Sequence, residues 1–496
     1  MSNFVGSPEP NARFPKGLGI LRGRFEYKWL VSLSVVGGTL MSVLDSTIVN
    51  VAIPRLRTIF HADLQSVQWI VTIYMITQAI VIPAAPTLIA RFGTKRTWVW
   101  TLTAFLLGSI LCGFAWNLQS LIVFRVTQGI GGGILLPMAM ALTYQTYGIE
   151  ERAKATSLMA MPVMFAPVLG PMLGGYLVER CGWPSIFLIN IPLGVLTIVI
   201  AQIVLRDSPP QPKPQFDLAG FFAIACGSGL VLYAIATVPP LGLPVKSIAR
   251  LMLGICLIAY FARLELMRAR NGQNPLLDLR RFRDKTFSAG AGALMLLYAL
   301  NFGVIFLIPQ YLQSVRRFSA LESGAIQSSL ALTTLIVLPL AGWWSTRFGP
   351  RRIAMVGFII LVVTDLILTT LGLNSAVIAI VACMVLLGCA GGMSGQVSVL
   401  AMSNIERQEI GAVTNASTLL VVLRATGAPL GIALLTSVVQ RIGQPNSAKF
   451  AHIPFANSIA VRLATLQGMH FSFATAATLG VIALLLLSNI PKNARQ

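Results

Sequence analysis

The chain predicts an all-α integral membrane protein built as two parallel six-helix halves with two further helices inserted between them. Three observations lead there. Hydrophobic residues make up 55% of the chain and charged residues 11%, with a mean hydropathy of +0.77, against roughly 25% charged in ordinary soluble domains. The apolar residues gather into about fourteen runs, each near the roughly 20 residues that a spanning helix needs. Finally, short landmarks recur in the same order in the two halves of the chain.

Taken in order, the tail 1-28 is polar and lacks the charged start, short apolar core and cleavage site of a removable signal peptide. The first apolar run is therefore expected to serve as the targeting signal. Runs beginning near Trp29, Val67, Trp98, Leu118, Thr156 and Pro184 fill a first half over 29-205. A linker, 206-216, follows, where Ser208-Pro209-Pro210-Gln211-Pro212-Lys213-Pro214 cannot continue a helix. Runs from Leu218 and Ser247 form the inserted pair, 217-270, and a basic cytoplasmic loop occupies 271-284. The last six runs begin near Thr286, Glu322, Ile353, Val377, Ala412 and Phe471 and span 285-490, before a tail at 491-496.

The repeat fixes how the halves are related. Arg91-Phe92-Gly93-Thr94-Lys95-Arg96 recurs as Arg347-Phe348-Gly349-Pro350-Arg351-Arg352, and Gly129 through Gly133 recurs as Gly388 through Gly392. Ala166-Pro167-Val168-Leu169-Gly170 is echoed by Ala428-Pro429-Leu430-Gly431. The first landmark follows the second run and its copy follows the tenth. Because that displacement is even, the halves run parallel, related about the membrane normal.

A net charge of +21 would suggest nucleic acid in a soluble protein. Here, with a cytoplasmic amino terminus, most Lys and Arg fall on inside loops and tails, so basicity sets orientation and both termini are expected in the cytoplasm. The densest group, Arg263, Arg268, Arg270, Arg280, Arg281, Arg283 and Lys285, falls around the loop after the eighth run, where anionic lipid would face it. All eight tryptophans lie near predicted helix ends, as an aromatic belt would. Of the six cysteines only Cys181 falls in an outside loop, and no CxxC metal site or disulfide framework is present. No DDxxD, HExxH, GxSxG or Walker sequence occurs, which argues against a membrane enzyme.

The charges left inside the apolar runs carry the functional argument. The first run reads Leu44-Asp45-Ser46-Thr47-Ile48-Val49-Asn50-Val51-Ala52-Ile53-Pro54. A carboxylate at that depth costs on the order of 2.5 to 3.5 kcal/mol even on the lenient insertion scale, so Asp45 needs either a role or a firm partner. Apolar surroundings without a cation favour the protonated form of a carboxyl, which suits a group that takes up and releases a proton. The fourth run carries Arg125-Val126-Thr127-Gln128-Gly129-Ile130-Gly131-Gly132-Gly133, and Met384 stands at the place of Arg125 in the second half. The repeat itself therefore does not demand an arginine. Asp365 and Arg424 are secondary charge candidates, with an interhelical pair as the alternative for each. Asn50, Tyr74, Gln78, Gln128, Tyr298, Asn301 and Gln310 are candidate substrate-cavity contacts or, equally, interhelical bonds. None of His61, His452 and His470 is expected deep in a span, so a histidine relay is not expected.

In the fifth run Ala166, Gly170 and Gly174 share one face and let two helices approach to backbone contact. Pro167 and Pro171 remove backbone donors and bend the helix. Such a helix suits a pivot or a seal. The run Gly170-Pro171-x-Leu173-Gly174-Gly175 resembles the fifth-helix antiporter motif of drug/proton antiporters in the major facilitator superfamily. The runs around Asp45 and Arg125 resemble the first- and fourth-helix motifs of its fourteen-helix members, the EmrB/QacA type. The likeness continues through Trp183 to Gly194 and Pro309 to Gln313, and covers nearly the whole chain from Lys28. In the loop after the second run, Leu88, Arg91, Gly93, Lys95 and Arg96 match the superfamily's loop signature, while Pro86 and Ala90 replace its glycine and aspartate. The aspartate that makes the gating latch in the family is thus absent at Ala90, and the basic residues serve equally as anchors on the inside face.

The resemblance implies the major facilitator fold and proton-coupled export of a lipophilic drug, dye, antiseptic or toxic metabolite across the cytoplasmic membrane. Asp45 and Arg125 would be the proton-coupling residues, and the proton gradient would be the energy source, with no cofactor, no metal and no enzyme activity. The implied partners are the lipid bilayer, a small lipophilic substrate, protons and, in a host with two membranes, a periplasmic adaptor; nucleic acid is not among them. In that fold the third helix of each half is peripheral, so Asp365 would lie away from the cavity and could pair with the inserted helices. A metabolite facilitator or proton symporter of the same fold stays open, as does a non-transporting membrane sensor.

Overall fold

The computed structural model describes residues 27–146, 152–206, 218–236, 245–271, 277, 279–403, 410–448 and 457–490, and among them there are helices and turns but no strand. The first half comprises α1 (Tyr27–Ile59), α2 (Leu64–Val81), α3 (Thr94–Gly113), α4 (Leu118–Thr146), α5 (Arg152–Arg180) and α6 (Ser185–Val204). The inserted hairpin is α7 (Leu218–Ala236) and α8 (Val245–Arg270). The second half comprises α9 (Lys285–Pro309), α10 (Ala320–Phe348), α11 (Pro350–Leu368), α12 (Val377–Met402), α13 (Ile410–Ala448) and α14 (Asn457–Ser488). Ten of these helices are long and apolar enough to cross a membrane, and α7 is a shorter apolar helix.

Local sequence explains where several helices begin and bend. Asp63 caps α2 by accepting from the Ser66 amide, and Asp284 caps α9 by accepting from the amides of Thr286 and Phe287. Ser319 and Glu322 form a reciprocal capping box at the start of α10. After α2, the segment containing Pro83 tightens to a 3₁₀ turn, Ile82–Ala84, before a short helix over Ala85–Phe92. Beyond Pro309, α9 widens into a π-helix over Gln310–Val315.

The predicted duplication is visible in the packing. Helix α1 packs on α4, α5 and α6 as α9 packs on α12, α13 and α14; α3 packs on α4 and α6 as α11 packs on α12 and α14; α2 packs on α4 as α10 packs on α12. The glycine landmarks supply the close approaches: Gly170 and Gly174 of α5 lie against Thr47 and Ile48 of α1, and Gly427 and Gly431 of α13 lie against Met295 and Ala299 of α9. Gly93 and Gly349 both take positive φ, at 82° and 86°, which explains the glycine shared by the two repeated loops. Each of those loops also lays its arginine on the next ring, Arg91 over Phe92 at 5.3 Å and Arg347 over Phe348 at 5.7 Å.

The hairpin closes on itself where Gly227 and Gly254 meet, and α7 packs on α2 and α13. It thereby covers one of the two seams between the halves. A crevice lined by Ile76, Ile80, Phe221, Ile224, Val422 and Thr426 runs beneath it.

Two expectations need correction. Helix α14 begins at Asn457, well before Phe471, because Arg462 and His470 find partners in the carbonyls of Val315 and Leu371, so the polar start of the segment stays helical. That places His470 inside a helix, level with the end of α11. Trp98 does not belong to an aromatic belt: it is fully buried and donates from Nε1 to Ser34 Oγ at 3.0 Å. The predicted linker at 206-216 lies outside the described residues except for Arg206, as do the tail to residue 26, the tail from residue 491 and part of the loop 271-284.

Candidate functional site: a buried ion pair between α1 and α4

Asp45 lies midway along α1 and Arg125 in the first third of α4, and both are 0% exposed. Arg125 Nη1 stands 2.6 Å from Asp45 Oδ2. Gln128, one turn on, completes a triangle: its Nε2 donates to Asp45 Oδ1 at 2.7 Å, and its Oε1 accepts from Arg125 Nη1 at 2.7 Å. Arg125 Nε donates to the Ile70 carbonyl at 2.9 Å, and the guanidinium lies over the Tyr74 ring, 3.9 Å from its centroid. The carboxylate therefore has a cation on it, in place of the uncompensated apolar setting that would favour its protonated form.

A second layer holds this triangle. Ser109 Oγ accepts from Gln128 Nε2 at 3.1 Å and from Asn190 Nδ2 at 2.9 Å, and donates to the Phe187 carbonyl at 2.8 Å. On the other side Ser42 Oγ lies 3.4 Å from the Tyr74 hydroxyl and accepts from Gln78 Nε2 at 3.4 Å. Glycines let the helices come close enough: side chains at Gly108 and Gly131 would strike the backbones of Gln128 and Phe105 between α3 and α4. Ser109 and Asn190 escaped sequence reasoning, although registering the Arg91 and Arg347 loops on each other sets Ser109 opposite Asp365.

The fifth-helix motif sits between this network and the other half. One face of α5 carries Gly170 and Gly174 against α1, two and three residues beyond Asp45. Another face presents Pro171 and Gly175 to α10, where Gly324 abuts the Pro171 carbonyl and Gly175 abuts the Ala320 carbonyl. Pro167 shares this stretch of α5 in a half-buried position. Glu179 accepts from the Leu321 amide at 2.8 Å and Ser328 Oγ donates to the Val168 carbonyl at 2.9 Å, so the seam is bonded as well as packed. Further contacts join the halves toward the Ile59 end of α1. Arg57 Nη1 donates to Gln310 Oε1 at 3.3 Å, Gln313 Nε2 to the Val51 carbonyl at 2.9 Å, and the Thr436 hydroxyl to Gln68 Oε1.

The remaining candidates separate by burial. Tyr74, Gln128, Gln310 and Asn50 are buried, the first two in the ion-pair network and Gln310 in the seam. Gln78, Tyr298 and Asn301 are half-buried. Arg424 is half-buried too, donating to Ser398 Oγ with its guanidinium 5.5 Å from the Tyr298 ring centroid. Asp365 is fully buried and, among the described residues, neither of its oxygens has a hydrogen-bond partner, so no pairing with the inserted helices is made there. In the loop after α2, Arg91 and Arg96 are exposed, and Lys95 is half-buried. Among the described residues no group of His, Cys, Asp and Glu could hold a metal.

The model of the Major Facilitator Superfamily matches residues 35–431. The Multidrug resistance protein B homolog of Mycobacterium tuberculosis H37Rv is 33% identical over 65% of this chain and 60% of its own length. The multidrug export protein EmrB of Escherichia coli K12 is 31% identical over 66% of this chain and 64% of its own length. The match thus spans less than two thirds of these relatives. In fold, the chain superposes with a TM-score of 0.68 and 17% identity on a bacterial homolog of the human lysosomal transporter Spinster, inward-facing and unoccupied, covering 94% of this chain and 97% of that one. The mirrored halves and the extent of the family match lead to one conclusion: the chain belongs to the Major Facilitator Superfamily, a family of membrane transporters, and within it resembles the EmrB type.

Proposed function

We propose that the protein is a proton-coupled exporter of lipophilic small molecules, crossing the cytoplasmic membrane fourteen times with both termini inside. The observation that carries this reading is the Asp45–Arg125 ion pair, shut off from solvent on a helix that packs against the seam between the halves. Protonating Asp45 removes the charge that Arg125 Nη1 and Gln128 Nε2 both address. A charge-assisted hydrogen bond is worth about 1.5 to 3 kcal/mol, enough to move a two-state equilibrium by tenfold or more. The change would reach the seam through contacts: Thr47 and Ile48 bear on α5, and α5 bears on α10. The contacts named between the halves lie toward the Ile59 end, which on this topology is the outside. Cargo would therefore enter between the halves from the cytoplasm and leave after they rock.

Acidified inside-out vesicles test the reading. Adding a quaternary ammonium dye or a lipophilic antibiotic is expected to release lumenal protons, and Asp45→Asn should abolish the release while insertion into the membrane is kept. A symporter would give no such release, and exchange that survives unchanged in Asp45→Asn would remove Asp45 from the coupling role.

A further inference from the structure

Arg424 is a cation within a spanning helix that the buried ion pair does not explain. Among the described residues its hydrogen-bond partner is the Ser398 hydroxyl, no carboxylate stands within ion-pair distance, and its shielded Nε–H has no acceptor. An arginine held at that depth without a counter-charge is unfavourable unless something brings one. Its neighbours are aromatic. The guanidinium lies 5.5 Å from the Tyr298 centroid, and Tyr298 stacks on Phe302 at 6.0 Å with an interplanar angle of 17°. None of Tyr298, Phe302 and Arg424 is fully buried.

Their depth is set by two contacts between the halves, Arg57–Gln310 and Thr436–Gln68. Gln310 lies 12 residues beyond Tyr298 on α9, Thr436 lies 12 beyond Arg424 on α13, and Arg57 lies 12 beyond Asp45 on α1. At 1.5 Å per residue, Tyr298, Arg424 and Asp45 all sit about 18 Å inward of the closed seam. Helices α9 and α13 both touch the first half at these contacts, which sets the cluster they carry beside the region between the halves. At that level the first half offers no net charge, since Arg125 neutralises Asp45.

We infer that Arg424, Ser398 and the Tyr298–Phe302 stack form a binding site for an aromatic organic anion, the guanidinium and hydroxyl taking its acidic group and the stacked rings its planar body. This deepens the exporter reading by naming its cargo class. If one proton enters as one monoanion leaves, two positive charges move inward per cycle; a monocation exchanged for one proton would move none. The membrane potential would then add directly to the pH gradient as a driving force.

Binding is measured without any gradient, so that it stands apart from the transport reading. Purified protein in zwitterionic lipid nanodiscs is titrated with labelled 1-naphthoate against empty discs, and the label is displaced with unlabelled 1-naphthoate or with 1-naphthylmethyl-trimethylammonium. Saturable binding is expected, with the carboxylate displacing at least tenfold better than the cation. Arg424→Gln should weaken 1-naphthoate at least tenfold and leave neutral 1-naphthalenemethanol unchanged. Arg424→Lys should keep the preference for the anion, and it serves as the test if the glutamine variant does not fold. Tyr298→Leu should weaken all three probes alike. Absence of saturable 1-naphthoate binding, equal displacement by the cation, or an anion preference untouched in Arg424→Gln would overturn the site. Binding as expected, with no proton release when 1-naphthoate is added to acidified inside-out vesicles, would keep the site and reject the exporter.

Discussion

The two halves share a packing scheme and differ in what they bury. In the first half, Asp45, Arg125, Gln128 and Ser109 form one bonded cluster. The matching places in the second half are Leu297, Met384, Leu387 and Asp365. The register follows from Gly170 facing Thr47 where Gly431 faces Ala299, and from the shared glycine and loop landmarks. Three of these counterparts are buried apolar side chains, and the fourth is a carboxyl left without a partner. The duplication preserves the contacts that small residues make between backbones, while the polar interior is free to diverge. On our reading one half carries the proton and the other meets the cargo.

Exchanging features between the halves probes that contrast. The largest effect is expected from Arg125→Met, which copies Met384 and strands Asp45; breaking a buried pair in this way costs about 3 to 5 kcal/mol, read as thermal unfolding in detergent. The double variant Asp45→Leu with Arg125→Met copies both counterparts and should recover most of that stability while losing proton-coupled transport. A double variant as unstable as the single one would mean that the pair does more for the fold than its apolar counterpart. Next, Gly324→Val forces a side chain onto the Pro171 carbonyl at the seam. Overpacking of about 1 to 3 kcal/mol should part the outer ends, raising the labelling of a cysteine placed at Gln310 by an impermeant maleimide.

Asp365→Ser runs the exchange the other way, giving the second half the residue that stands at Ser109. Removing an unpartnered buried carboxyl should raise the unfolding midpoint, by about 1 to 2 kcal/mol in stability, and a fall would reveal a partner for Asp365. The smallest change is expected from Thr436→Val, which removes one hydrogen bond across the seam; such bonds in membrane proteins average about 0.6 kcal/mol. Its effect should therefore show in the labelling at Gln310 rather than in the unfolding curve.

Much of this was legible in the sequence because a bilayer makes the pattern coarse. Apolar runs gave the helices, the recurring Arg-Phe-Gly loops gave the halves, and a charge inside a run marked Asp45 and Arg125 without further context. What sequence could not give was direction around each helix. Gln128 and Tyr74 could be cavity contacts or interhelical bonds from sequence alone, and the structure turns their side chains inward to the ion pair. The same choice was open for Gln310, which accepts from Arg57 across the seam. The start of α14 was missed for a related reason: Arg462 and His470 are polar, and only their carbonyl partners, more than ninety residues away in the chain, make a helix there favourable.

The hairpin α7–α8 makes the molecule lopsided in its relation to lipid. Two seams join the halves, one between α5 and α10 and one between α2 and α13, and the hairpin roofs the second. On the proposed rocking of the halves, acyl chains would follow the motion on one flank, while on the other the protein would supply its own filling. On that reading a molecule dissolved in the bilayer would meet an unroofed seam on a single side, and the pressure of the surrounding lipid would bear unevenly on the two seams.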